Sequence, residues 1–338
     1  MSITIWIWAL LFITIHFDSQ LFDNQDYLYS VIQTPDIANT VAWSSDGEVL
    51  AIGGENFWGL YTQRGEMILN QEISGIVTAM KWSADSLYLG IAIDNQDEYS
   101  FIVWSIEEED ILNILSIPDA FTDFLWDSDS NFIIGGGIRG GLYRFNPFGN
   151  RIILSEVLVP RDTLFADSSP VFSLCWRDLD TKFYANTLFG IYLVIASDLR
   201  YQSLIYFPNG AFVRGACEIN ENIIIMPSGG YIDMNTLTTV INLTPIGNIG
   251  DIGLEFTITI NPQNTDIVAT YAEDGLYIWN RKSQDVLYID DIYRSRGRGD
   301  IMSISWHPNG EYLAQAGKDG AYVNIWHITM EDLLNSQP

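Results

Sequence analysis

An all-β fold built from repeated units is what this sequence predicts, and three observations carry that prediction. Short apolar runs alternate with Gly, Pro, Asn and Asp turn clusters, as in VAWSSDGEVLAIGG (41–54) and FTITINPQNTDIVATYAEDGLYIWN (256–280). The stretch Ile301–Ile328 holds three such runs, 301–306, 311–316 and 321–328. They are separated by His-Pro-Asn-Gly and Lys-Asp-Gly, the grammar of three tight antiparallel strands. No long apolar segment has a 3.6-residue period, and Ile, Val, Tyr and Trp dominate the apolar runs, as strands prefer.

Composition bounds the function before any motif is read. With 48% hydrophobic and 13% aromatic residues over 338 positions, the chain is far from a disordered profile. Forty-three acidic against 16 basic residues give a formal charge of −27, spread along the whole chain. That field repels phosphate backbones, so no nucleic acid is expected as a partner, and it suits cationic partners or plain solubility.

Taken in order, residues 1–17 read as a hydrophobic leader, either signal peptide or anchor. Ile3–Phe17 is an uncharged run of fifteen, long for a signal-peptide core and short of the ~20 residues of a spanning helix. No Lys or Arg precedes it, and Phe17-Asp18-Ser19 is not a small-x-small cleavage site, so a strand or helix docked on the domain is the alternative. The expected location is exported or membrane-tethered, and cytoplasmic if the run is not a leader. Residues 18–25 form a polar linker, 26–328 the folded body and 329–338 a polar tail.

Within the body, the last residue of each first strand serves as an anchor just before a polar turn. Anchors fall at Trp43, Trp82, Trp126, Trp176 and Trp306, with Glu218 and Ile260 filling the gap before the last. The spacings are 39, 44, 50, 42, 42 and 46, which makes seven units. Third strands close on an aromatic followed by a polar residue: Tyr61-Thr62, Trp104-Ser105, Phe145-Asn146, Trp279-Asn280 and Trp326-His327. Eight of the eleven tryptophans occupy one of these two positions, as wedge-filling side chains of a repeated core do. The tail TMEDLLNSQP is too short and polar for a fourth strand, while Tyr27–Gln33 is an orphan strand before the first anchor. Segment 26–34 is therefore expected to complete the last unit and close the circle, covering two free edges.

These residues resemble the WD-repeat β-propeller family, over roughly 26–328. The resemblance implies a single seven-bladed β-propeller, its last blade closed by an N-terminal strand. It departs from the family in lacking the Gly-His pair between blades and the Trp-Asp dipeptide at third-strand ends. The family's Asp-His-Ser/Thr-Trp hydrogen-bond network therefore does not carry over.

Motifs that bear chemistry are few. The three histidines, His16, His307 and His327, form no base-nucleophile pair, and no short-spaced His or Cys set suggests a metal. No catalytic residue, cofactor or metal ligand is assigned. Cys175 and Cys217 each precede an anchor in adjacent units; with packed sheets ~10 Å apart, two free buried thiols are expected. GGGIRGG (135–141), DSDSN (127–131) and EEED (107–110) read as turns.

Two loops remain as binding-surface candidates. VPRDTLFADSSPV carries Arg161 and Phe165, and YRSRGRGD carries Arg294, Arg296 and Arg298, the one dense basic cluster. The function this supports is a non-catalytic, monomeric platform for a protein partner, meeting a membrane only through an uncleaved leader. Two alternatives stand beside it: an extracytoplasmic propeller binding a small molecule or glycan, and an enzyme using carboxylates at the channel mouth.

Overall fold

A computed structural model describes residues 27–156, 170–202, 257–271, 276–280, 287, 303–316 and 320–329, except 97 and 188–189, and the backbone of the remaining strand residues named below. Everything in it is strand and turn. β1 (Leu28–Gln33) is followed by β2 (Ala38–Trp43), β3 (Leu50–Tyr61), β4 (Met67–Trp82), β5 (Tyr88–Asp94), β6 (Tyr99–Ser105) and β7 (Asp110–Ile117). The third unit is β8 (Phe121–Trp126), β9 (Ile133–Gly137), β10 (Gly141–Phe145) and β11 (Ile152–Val157). The fourth is β12 (Val171–Asp178), β13 (Lys182–Thr187), β14 (Gly190–Ile195) and β15 (Tyr201–Tyr206). Short strands β16 (Glu218–Asn220), β17 (Ile223–Ile225), β18 (Tyr231–Asp233) and β19 (Thr238–Val240) make the fifth. Then come β20 (Thr257–Ile260), β21 (Ile267–Ala272), β22 (Gly275–Asn280) and β23 (Val286–Asp290), and finally β24 (Ser303–Trp306), β25 (Tyr312–Ala316) and β26 (Tyr322–His327).

Turn chemistry sets these boundaries. Trp43, Trp82, Trp126, Ile260 and Trp306 each end a strand, as the anchor reading requires. After two of them an identical device follows. Ser44 Oγ donates to Asp46 Oδ1 and accepts the Val49 N–H, while Ser83 Oγ donates to Asp85 Oδ1 and accepts the Tyr88 N–H. The hydroxyl thus satisfies the turn's backbone from inside, leaving the carboxylate in water.

The sheet count corrects one expectation. Five sheets are separate four-stranded blades, not seven; the first two expected units share one six-stranded sheet in the order β2-β3-β4-β5-β6-β7. The cause is β4, sixteen residues long, which pairs with β3 through Met67–Ile76 and with β5 through Ile76–Trp82. Between Met67 and Trp82 there is no Pro and no polar turn cluster to interrupt pairing, only Gly75 at φ 115°. One unit's outer strand therefore runs straight into the next unit's inner strand.

Closure is direct. β1 is the fourth strand of the last sheet, ordered β1-β26-β25-β24, with Leu28 opposite Trp326 and Gln33 opposite Tyr322. Ile32 is 2% exposed and packs with Val41, Leu50 and Phe57 from the first unit and Val323 and Ile325 from the last. The two ends of the repeat thus share one core.

Apolar clusters fill the wedges between neighbouring sheets. Trp58, Leu60, Met80, Trp82, Ile91 and Trp104 pack within the six-stranded sheet's fold, and between the second and third units Phe101 meets Phe124 and Phe145 edge-to-face, with Phe121 tilted against it. Innermost strands converge: β2 lies beside β24 and β4, β4 beside β8, β8 beside β12, β12 beside β16, and β20 beside β24.

Candidate functional site

The converging inner strands leave an axial channel with a cavity of about 800 Å³. Hydroxyl, aliphatic and a few charged side chains line it: Thr40, Thr78, Thr122, Ser173, Ser303 and Ser305 among the hydroxyls, with Lys81, Asp94 and Asp123.

Most of those hydroxyls are already engaged across a wedge. Thr78 Oγ1 donates to Phe121 O at 2.6 Å, and Thr122 Oγ1 donates to Val171 O, each on the next inner strand. Ser303 and Ser305 Oγ accept the backbone N–H groups of Val41 and Trp43, which joins the last unit to the first. A charged staple completes the pattern: Lys81 Nζ lies 2.6 Å from Asp123 Oδ1, and Asp123 Oδ2 accepts the Leu174 N–H at 2.8 Å. These bonds tie neighbouring inner strands of the channel wall to one another.

The anchor tryptophans form a second ladder behind the wall. Trp82 Nε1 donates to Ala42 O, Trp126 Nε1 to Lys81 O, and Trp176 Nε1 to Trp126 O, each reaching back to the preceding inner strand. At the closure seam the rule changes. Trp43 Nε1 is buried without an acceptor, and the Trp43 ring packs edge-on against His307 with centroids 4.8 Å apart. His307 Nε2 sits 2.9 Å from Gly47 O, so the imidazole bridges the last turn to the first. A Cβ on Gly47, whose φ is 81°, would meet that nitrogen at 2.5 Å.

Two carboxylates are buried in the turns that flank β8. Asp119 is fully buried in the turn before β8; its Oδ2 accepts the Arg139 N–H at 3.0 Å, and its Oδ1 has no partner. Burial pushes the Asp119 carboxyl above its ordinary value, opposed by that N–H and the Arg139 charge. Burial likewise raises Asp127, opposed first by the Phe132 N–H. Asp36 makes the equivalent strap in the first unit, accepting from Asn56 Nδ2. Sequence reading missed this pair, though Pro35-Asp36 and Pro118-Asp119 both stand seven residues before an anchor Trp and could have revealed it.

A second correction concerns the cysteines. Cys175 is disulfide-bonded, not a free thiol, and it lines the channel at 6% exposure. The expectation took the ~10 Å spacing of packed sheets as uniform. In a wedge the spacing shrinks toward the axis, and β12 and β16 are in contact there. The chain's other cysteine is Cys217.

Two third-strand tryptophans bond to the neighbouring second strand. Trp279 Nε1 donates to Thr270 Oγ1 and Trp326 Nε1 to Gln315 Oε1, each from third strand to second. Among the described residues, no three His, Cys, Asp or Glu side chains gather as a metal site would need, and no helix is long and apolar enough to cross a membrane. The binding-surface candidates Arg161, Phe165, Arg294, Arg296 and Arg298 all lie outside the described residues.

Comparison with known proteins agrees with this architecture. A family model described as "WD domain, G-beta repeat" matches residues 292–327. Among solved structures, the fold is similar to a chain of a mitotic checkpoint complex, with a TM-score of 0.68 at 14% identity. That likeness covers 89% of this chain and 92% of that one; at such identity it speaks for the fold. No curated protein matches the chain.

Proposed function

We propose that this chain, a β-propeller by its fold and matched over 292–327 by a WD-repeat family model, is a degenerate WD-repeat propeller acting as a non-catalytic platform for a protein partner. The partner binds the face carrying the 158–170 and 293–300 loops. One observation carries the reading: connections from a fourth strand to the next first strand are of two kinds. Before β2 and β8 they span only 34–37 and 118–120, whereas those before β12, β16, β20 and β24 span 158–170, 207–217, 241–256 and 291–302. In a ring of antiparallel blades such connections leave on one face. Loops of this length in a compact domain are commonly functional. They also hold Arg161, Arg214, Arg294, Arg296 and Arg298, five of the sixteen basic residues.

The six-stranded sheet would hold two of the repeated units, the first ending on the Met67 half of β4 and the second beginning on its Ile76–Trp82 half, a reading supported by the pairing of β4 with β3 and with β5. The location is exported or membrane-tethered, supported by the uncharged run Ile3–Phe17 and by the disulfide at Cys175, a bond at home in oxidising compartments.

Affinity capture with the full chain tests the role. Partners recovered by the wild type should be lost with Arg294→Ala, Arg296→Ala and Arg298→Ala combined, and kept with Glu48→Gln and Glu66→Gln, both exposed in short turns of the opposite face. Recovery unchanged by the arginine substitutions would sink the assignment of this face.

A further inference from the structure

Among the described residues, several outer strands end their sheets with exposed apolar side chains, and β7 alone joins such a row to a run of four carboxylates. β7 pairs with β6 alone and ends the six-stranded sheet. Ile111, Leu112 and Ile114 on it are 37%, 42% and 63% exposed, and no Pro, Lys or Arg interrupts its eight residues. Exposed edges normally carry such guards, because unpaired backbone groups recruit another strand. Ile114 stands opposite Ile102, and Ile111 opposite Trp104, both members of the cluster that Leu69 and Ile73 also pack against. The two exposed residues therefore prolong that core to the surface. On its other face the edge is held rigid: Asn113 Nδ2 donates to Pro147 O and Gly149 O, both at 2.7 Å, in the neighbouring blade.

Charge selects what would pair there. Exposed carboxylates Glu107, Glu108, Glu109 and Asp110 stand consecutively at the start of β7, a run matched beside no other described outer strand. A second copy of this chain, at a formal −27, is repelled by them.

We propose that β7 is a strand-addition site for an extended, cationic peptide segment of a partner. The segment pairs antiparallel with β7, lays alternate apolar side chains against Ile111 and Ile114, and sets Lys or Arg at its C-terminal end beside 107–110. This surface is the side of a blade and is independent of the long-loop face.

Fluorescence anisotropy with the full chain tests it, using a labelled synthetic peptide of alternating Val and Thr that ends in a run of lysines. The expected result is saturable binding that weakens about tenfold or more with Ile114→Lys, and equally when alternate peptide nitrogens are methylated, which blocks strand pairing. Glu107→Gln with Glu108→Gln should weaken binding most at low salt, and the triple arginine variant of the long-loop face should leave it unchanged. The proposal is overturned if the methylated peptide binds as well as its parent, or if Ile114→Lys binds normally. It is also overturned if no binding is measurable, or if β7 pairs two copies of the chain so that Ile114→Lys converts a dimer to a monomer. The peptide arm requires no protein variant, so misfolding of a variant cannot mimic the result.

Discussion

Lys81 Nζ and Asp123 Oδ1 meet at 2.6 Å across the wedge between two consecutive inner strands, and the same carboxylate takes the Leu174 N–H from a third. One side chain thus ties three inner strands together at the channel wall. The Lys81 side chain is 38% exposed and that of Asp123 14%, so the ion pair itself is partly screened. Most of the carboxylate's value lies in the backbone bond. Asp123→Ala should destabilise by about 1–3 kcal/mol, because it strands the Leu174 N–H, while Lys81→Met should cost at most about 1 kcal/mol. Urea unfolding of both variants and their double mutant checks this; equal single costs would contradict it.

The tryptophan ladder gives a paired test. Trp82 donates to Ala42 O, whereas buried Trp43 has no acceptor for its Nε1. Replacing either by Phe removes similar volume. Trp82→Phe should therefore cost about 1 kcal/mol more than Trp43→Phe, the net worth of one hydrogen bond. Thermal melts of the two variants read the difference.

The buried carboxyls predict a pH dependence. Asp119 and Asp127 both have folded-state values raised above the ordinary 3.8, burial being the first cause. A raised folded value means that stability is fully present below 3.8 and is lost as pH climbs through the raised value. Asp119→Asn keeps an acceptor for the Arg139 N–H and carries no charge. Its melting temperature should gain on the wild type as pH rises above that ordinary range. A gap constant across the acid range would contradict the burial account.

Ring closure predicts where the molecule opens first. Ile32 is buried between the first and last units, so Ile32→Ala should cost about 2–4 kcal/mol. Hydrogen exchange should then quicken in β26 and β25 before β9 or β13. Uniform acceleration would mean that β1 is no special latch.

Legibility in the sequence followed local chemistry. Trp43, Trp82, Trp126 and Trp306 were readable because each is followed by a turn whose Ser, Asp, Asn or Gly has to be there for backbone reasons, and β1 because an unpaired strand was missing at the other end. What went unread depends on three-dimensional convergence. The running-on of β4 arose where a turn signal is absent rather than present. The disulfide at Cys175 depended on how far a wedge narrows, which no spacing encodes. Lys81 and Asp123 lie in units of unequal length, so no fixed period pairs them. Glu218 shows the limit of the anchor rule: with no aromatic to bury, it begins β16 where the other anchors close or nearly close a strand. The candidate loops 158–170 and 293–300 were singled out by their length and their arginines, and Arg161, Phe165, Arg294, Arg296 and Arg298 lie outside the described residues.

Hydrogen exchange on the full chain with and without a partner that it captures is the most direct test of the platform reading. The account predicts new protection in 158–170 and 291–302, with the turns at 44–49 and 83–88 unchanged. Protection confined to those short turns, with none in the long connections, would contradict it.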